Sequence, residues 1–345
     1  MNTRERFRAA MDFQSIDRLP AMEWICWWDK TIERWRSEGL PQDLKREDIL
    51  RFFGLEVHER IWISPRFQVK RQVDKSRNDG IIETEADYER LILPCCANPV
   101  IDLDGVKRLA ERQKRGDTVF QLVIDGFFWY PREIFGVERH LFAFYDQPEL
   151  MRRMNEDLCQ YHLSILDQVL EITVPDVLLF AEDMSYNNGP MLSREQFEEY
   201  VAPYYRRIIP RARDAGAISL VDTDGDMTAM IPWLQEAGIE GCSPLERMAG
   251  VDVVGIRKSF PKWKMIGGFD KTIMHLGETA IRKEFERLLP AILSGGYIPT
   301  TDHQTPPDVS LETFRTYVGL LKEYCGKAAG GAELGAEKNQ IKEKD

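Results

Sequence analysis

Cys-x-x-Cys occurs nowhere in this chain, so the usual thiolate frame for a structural zinc or an iron–sulfur cluster is missing. The six cysteines, Cys26, Cys95, Cys96, Cys159, Cys242 and Cys325, are spread over 345 residues. That excludes the dense, regular spacing of a secreted disulfide scaffold, and the adjacent pair Cys95-Cys96 could form only a strained bridge. Long apolar runs are lacking too: none reaches the roughly 20 residues that a bilayer crossing needs. Met1 to Arg6 is charged and has no signal-like apolar core, which makes the cytoplasm, with no membrane contact, the expected location. Positive charge is in deficit, with 46 Lys and Arg against 57 Asp and Glu, for a net −11. With no dense basic run, nucleic acid is excluded as a partner, because phosphate binding needs clustered positive charge.

The chain does hold enough apolar material, 43% of residues, for one large α/β barrel or two ordinary domains. From residue 119 onward, short apolar runs alternate with longer amphipathic ones, as parallel strands and crossover helices do. Strands are predicted at 119–124, 176–180, 218–221, 239–242, 264–267 and 297–300. Helices are predicted at 194–215, 227–237, 278–293 and 311–324, with Gly216, Gly238 and Gly295 as stops. A further strand at 18–24 completes the expectation of a TIM-type (β/α)8 barrel, with a doubly wound open sheet as the alternative. Residues 61–84 read as an antiparallel hairpin inserted around Asn78-Asp79-Gly80. Residues 1–326 form one barrel domain in this reading. Residues 327–345, rich in Ala, Gly, Lys and Glu, form a disordered tail.

A parallel barrel carries its site at the C-terminal ends of the strands. The residues there are acidic: Glu23, Asp125, Glu182, Asp183, Asp222, Asp224, Glu246, Asp270 and Asp302, which precedes His303. Carboxylates also cap the helices that follow strands, and either role accounts for any single one. Several converging on one mouth must be protonated, hydrogen-bonded or bound to a cation. Asp222, His303, Glu182 and Asp125 are therefore the catalytic candidates. Glu23, Trp24, Phe128, Trp129, Asp183 and Asp302 are the candidates for substrate contact. The aromatics among them either pack the core or wall a pocket for a flat or methylated ligand. Asp222-Thr223-Asp224-Gly225-Asp226 lacks the glycine offset and terminal Glu of a calcium loop. Asp222, Asp224 and His303 could instead hold a transition metal. His58, His140, His162 and His275 fall in helical or connecting stretches and read as structural.

Several stretches together resemble the uroporphyrinogen decarboxylase superfamily over residues 3–325: Arg4 to Met11 with Asp17-Arg18-Leu19-Pro20, Gly189 to Ser193 and its helix, Gly267-Gly268-Phe269-Asp270, and Gly296 to Pro299 before Pro306-Pro307. The resemblance implies a (β/α)8 barrel and one of two chemistries, cofactor-free decarboxylation or zinc-dependent methyl transfer with corrinoid proteins. True uroporphyrinogen decarboxylases carry Arg-Gln-Ala-Gly-Arg after the first strand to bind substrate carboxylates. Here the stretch from Glu23 to Lys30 has neither arginine. Thiol-activating methyltransferases carry His-x-Cys-Gly, which matches Asp222-Thr223-Asp224-Gly225 with Asp in both ligand positions. Both departures turn the expectation toward transfer of a methyl group from a small methylated substrate to a corrinoid. The implied partners are that substrate, a corrinoid protein and a second copy in a homodimer, and the candidate cofactor is a divalent metal such as zinc. A cofactor-free decarboxylase or lyase acting on a small acid or porphyrinogen-like substrate, and a non-catalytic small-molecule binding barrel, are the alternatives.

Overall fold

Strands β2 (Val119–Asp125) and β3 (Val177–Ala181) are buried along their whole length, as continuous apolar runs must be in a parallel sheet covered on both faces. The computed structural model describes residues 1–25, 27–69 and 79–329. Its other strands are β1 (His58–Ile63), β4 (Ser185–Tyr186), β5 (Gly189–Pro190), β6 (Ile218–Asp222), β7 (Gly241–Ser243), β8 (Lys264–Phe269) and β9 (Tyr297–Thr301). Seven of them form one sheet in the order β1-β2-β3-β6-β7-β8-β9, every neighbour parallel. The sheet curls into an open barrel, and six of its strands lie where the sequence predicts them.

The seventh differs. Residues 18–24 form no strand, contrary to expectation. They still run between the two edges of the sheet. The Glu56 N–H donates to the Ala21 carbonyl at 2.8 Å, the Trp24 N–H to Thr300 Oγ1 at 3.2 Å, and Arg60 Nη2 to the Trp24 carbonyl at 2.7 Å. Pro20 has no N–H to give, and side chains occupy the carbonyls of Leu19, Glu23 and Trp24.

The strand beside this gap is β1, whose last residues the sequence assigns to the inserted hairpin. It belongs instead to the parallel sheet, pairing with β2 from His58↔Val119 to Ile63↔Ile124. Pro65–Gln68 is a 3-10 turn, so no antiparallel pairing exists in the described part of 61–84. Residues 70–78, the centre of that expected hairpin, lie outside the described residues. The antiparallel pair that does form is β4 with β5. The predicted helix at 194–215 splits at Val201 into Arg194–Tyr200 and Ala202–Ala215, because Pro203 disfavours helical continuation through the residues before it. Gly216 then takes the left-handed closing conformation, φ +103°.

Inside the barrel, Val123, Leu179, Leu220, Ile266 and Ile298 pack with Phe7, Met11 and Trp24. The helix Thr3–Met11 supplies Phe7 and Met11, and its Arg4 and Arg8 bond to Asp176 just before β3. This helix plugs the N-terminal end of the barrel, which leaves the C-terminal end as the open one. The sheet's other face packs against the surrounding helices. Among the described residues five cysteines are free, and no helix is long and apolar enough to cross a membrane. Residues 330–345, most of the expected tail, lie outside the described residues.

Candidate functional site

At the C-terminal end of the strands opens a cavity of about 320 Å³, lined by Ile25, Arg60, Trp62, Trp129, Ala181, Glu182, Asp183, Asp222, Asp224, Pro244, His303 and Gln304. Asp222 ends β6, where its backbone carbonyl accepts the N–H groups of Glu182 (2.9 Å) and Asp183 (3.3 Å). The two acidic strand ends are thereby locked side by side. Burial, with Asp183 and Asp224 close by, pushes the Asp222 carboxyl up to about 8. Asp183 is pushed up to about 6 by burial and by Asp224. Its φ of +43° is in the left-handed region, which a non-glycine residue enters at a cost, and the surrounding structure holds it there.

Glu182 is anchored differently. Its carboxylate accepts the N–H groups of Phe127 (2.9 Å), Phe128 (2.8 Å) and Trp129 (3.2 Å) and the hydroxyl of Tyr205 (2.5 Å). Gly126 makes room for it, since a Cβ there would stand 2.0 Å from the carboxyl carbon. Burial raises Glu182 to about 7, against the lowering effect of those four donors. Its work is to set the backbone that brings Trp129 to the cavity wall.

At the same mouth, His303 Nε2 lies 3.6 Å from Asp224 Oδ2, and that contact raises the imidazole above its ordinary value. Glu246 joins them, with Oε2 held by the Gly225 N–H at 2.9 Å and Oε1 3.9 Å from Lys271 Nζ. Gly225 is required in this turn: its φ is +80°, and a Cβ would meet the Tyr186 backbone at 2.5 Å. Asp224, Glu246 and His303 offer one ligand atom each within 4.8 Å of one another, the group among the described residues able to hold a metal ion. Zinc bonds of about 2.0–2.2 Å place ligand atoms about 3–3.6 Å apart, a spacing the His303–Asp224 pair already has. Two carboxylates and an imidazole suit a divalent cation of borderline or hard character, so the donor set fits.

The fold thus brings together Glu182, Asp183, Asp222, Asp224, His303 and Trp129. Other sequence candidates lie elsewhere. Asp125 is fully buried and takes hydrogen bonds from Trp62 Nε1 (2.8 Å), Ser64 and Arg66 Nε (2.6 Å). Glu23 is sealed beneath the mouth by Thr300, Thr301 and Tyr317, and burial raises its carboxyl. Trp24 lies in the barrel interior between Phe7 and His58, and Phe128 packs edge-on against His140. Asp302 is buried and accepts the N–H groups of Arg247 and Lys271. Asp222 stands beside the metal-competent trio, and Glu246 takes the third place, expected from the strand-end pattern for Asp222. Arg60 and Trp62 were not anticipated, although their i, i+2 spacing would put both on one face of a strand once β1 is recognised.

The model of one protein family, uroporphyrinogen decarboxylase (URO-D), matches residues 134–324. Among solved structures, a methyltransferase from Methanosarcina mazei is similar with a TM-score of 0.64 and 13% identity, over 94% of this chain and 99% of that one. That likeness is one of fold. A chitobiase from Flavobacterium johnsoniae aligns at a TM-score of 0.33 and 10% identity, over 74% of this chain and 46% of that one. No curated protein matches the sequence.

Proposed function

This chain belongs to the uroporphyrinogen decarboxylase family, and we propose that within it the protein moves a methyl group from a small methylated substrate to a corrinoid carried by a partner protein. The observation that carries this reading is the composition of the mouth, a wall of Asp183, Asp222 and Asp224 meeting His303 around about 320 Å³. That volume is at the small end of ligand sites, which run from about 300 to 1,000 Å³. A porphyrinogen bearing eight carboxylates finds neither room nor matching charge there.

When a methyl group leaves a heteroatom, the bond's electron pair stays on the heteroatom, which therefore needs a proton or a positive charge. Asp222, held at about 8, keeps its proton at neutral pH and stands at the cavity wall to deliver it. Burial first, and then the nearness of Asp183 and Asp224, maintain that state against Arg60 and His303, and Glu182 fixes the loop that carries Trp129. A divalent cation held by Asp224, Glu246 and His303 would supply Lewis-acid polarisation of the leaving heteroatom. Arg60 on the cavity wall favours a second reading, cofactor-free decarboxylation of a small acid, in which the guanidinium would hold a carboxylate and Asp222 would protonate the resulting carbanion. A non-catalytic barrel that only binds its ligand is the third.

The test mixes purified protein with a reduced corrinoid protein and a panel of methylated donors, following the corrinoid's absorption spectrum. Methylation is expected with at least one donor, and where the donor's heteroatom is uncharged, so that its leaving group needs a proton, it should be lost in Asp222→Asn. Release of CO2 from a small acid, with no methylation from any donor, would replace the first reading by the second.

A further inference from the structure

The cavity is polarised across its width. Arg60 and Trp62 project from β1 on one side, while Asp183, Asp222 and Asp224 follow β3 and β6 on the other, with Trp129 beside them. The two indoles are held in place by guanidinium groups, Arg66 over Trp62 at 5.7 Å and Arg132 over Trp129 at 4.7 Å. A ligand with only negative charge would face three carboxyl groups. One with only positive charge would set that charge against Arg60. Arg60 already acts on Asp222 from across the cavity, and a ligand carrying one charge of each sign meets both walls without setting either charge against its like.

We infer that the substrate is a small zwitterion, its carboxylate toward Arg60 and its methylated cationic head toward Asp183 and Asp224 between Trp62 and Trp129. This rests on the reading of the mouth as the substrate site and names the class of donor. A methylated onium group is large, weakly hydrated and positive, the kind of cation that indole rings and carboxylates bind together. Its methyl group is also the one that would be transferred.

Calorimetric titration of the full-length protein with three compounds of nearly one shape tests this. Trimethylglycine has both charges, 3,3-dimethylbutanoate replaces the nitrogen by carbon and keeps only the carboxylate, and choline keeps only the cation. Trimethylglycine should bind at least about tenfold more tightly than either of the others, as expected when each charge meets its complement. Arg60→Gln should remove about tenfold of the trimethylglycine affinity and leave choline binding no weaker, or tighter, because a like charge is gone. Because Arg60 also holds the Trp24 carbonyl, Trp62→Leu at a half-exposed position is the second variant. It should weaken trimethylglycine and choline together and spare dimethylbutanoate. Equal or tighter binding of dimethylbutanoate, or no binding of trimethylglycine, overturns the inference. Zwitterion binding without methyl transfer from any donor would sink the proposed function and leave this inference standing. Demethylation of an uncharged aryl methyl ether by a protein that binds no zwitterion would do the reverse.

Discussion

Asn in place of Asp222 should stabilise the fold at neutral pH and have no effect in acid. The carboxyl has an ordinary value of 3.8 and is pushed up to about 8 by burial and by Asp183 and Asp224. Between those two values the folded chain keeps a proton that the unfolded chain releases. Stability from this group is therefore full below 3.8, falls as pH rises through the window, and levels off above about 8. At pH 7 the ordinary value is roughly three units away, and at about 1.4 kcal/mol per unit the ceiling on the cost is about 4 kcal/mol. The cost is shared with Asp183, whose carboxyl belongs to the same cluster, so a gain of about 1–4 kcal/mol is expected at pH 7. Urea unfolding with a chelator present, so that no cation neutralises the cluster, measures it at pH 4, 7 and 8.5. The wild type and Asp222→Asn should coincide at pH 4 and diverge steadily to pH 8.5. A gain independent of pH would mean that Asn merely packs better. A loss of about 0.5–2 kcal/mol would mark Asp222 as a helix cap, and the account of a crowded, proton-bearing mouth would be wrong.

Two further outcomes follow from the same geometry. Zinc retained after dialysis, read by elemental analysis, should fall at least about tenfold in Asp224→Ala, Glu246→Gln and His303→Ala and stay unchanged in Asp222→Asn, because loss of one of three protein ligands removes a large share of the affinity; equal loss in all four would put Asp222 in the ligand set. Tyr205→Phe takes away a 2.5 Å donor to Glu182, and should cost about 1–3 kcal/mol at pH 8.5, where the carboxylate is ionised, and less at pH 5, where the folded protein holds it protonated near its value of about 7; a cost that does not change with pH would show that Glu182 is not the group affected.

Most of the barrel was legible because its strands β2, β3, β6, β8 and β9 are short runs that read as strands wherever they stand. β1 escaped because His58-Glu59-Arg60-Ile61-Trp62-Ile63 alternates charge with apolar character. Glu59 is tolerated there by an ion pair with Arg112, more than fifty residues away, and Arg60 by facing the mouth. Losing β1 had a second effect. Ser64 and Arg66 fall in the stretch whose pattern predicts a hairpin, so nothing in the sequence reveals that they surround Asp125 and remove it from the mouth. Glu23, Asp125, Glu182, Asp222 and Asp302 all follow an apolar run, and the rule that sites sit at strand ends treats them alike. What separates them is the donors each one meets. Tyr317 reaches Glu23, Arg66 reaches Asp125, Tyr205 reaches Glu182, and the Arg247 and Lys271 N–H groups reach Asp302. Apart from the Glu182–Tyr205 and Asp302–Lys271 contacts, those partners come from more than fifty residues away. At Asp222 burial acts first, and Asp183 and Asp224, both acidic, raise the carboxyl further against the opposing Arg60 and His303. A carboxyl ringed by donors becomes structure, and one set among other carboxyls keeps a proton it can give, so the catalytic candidate is marked by the partners the fold brings to it rather than by its place after a strand.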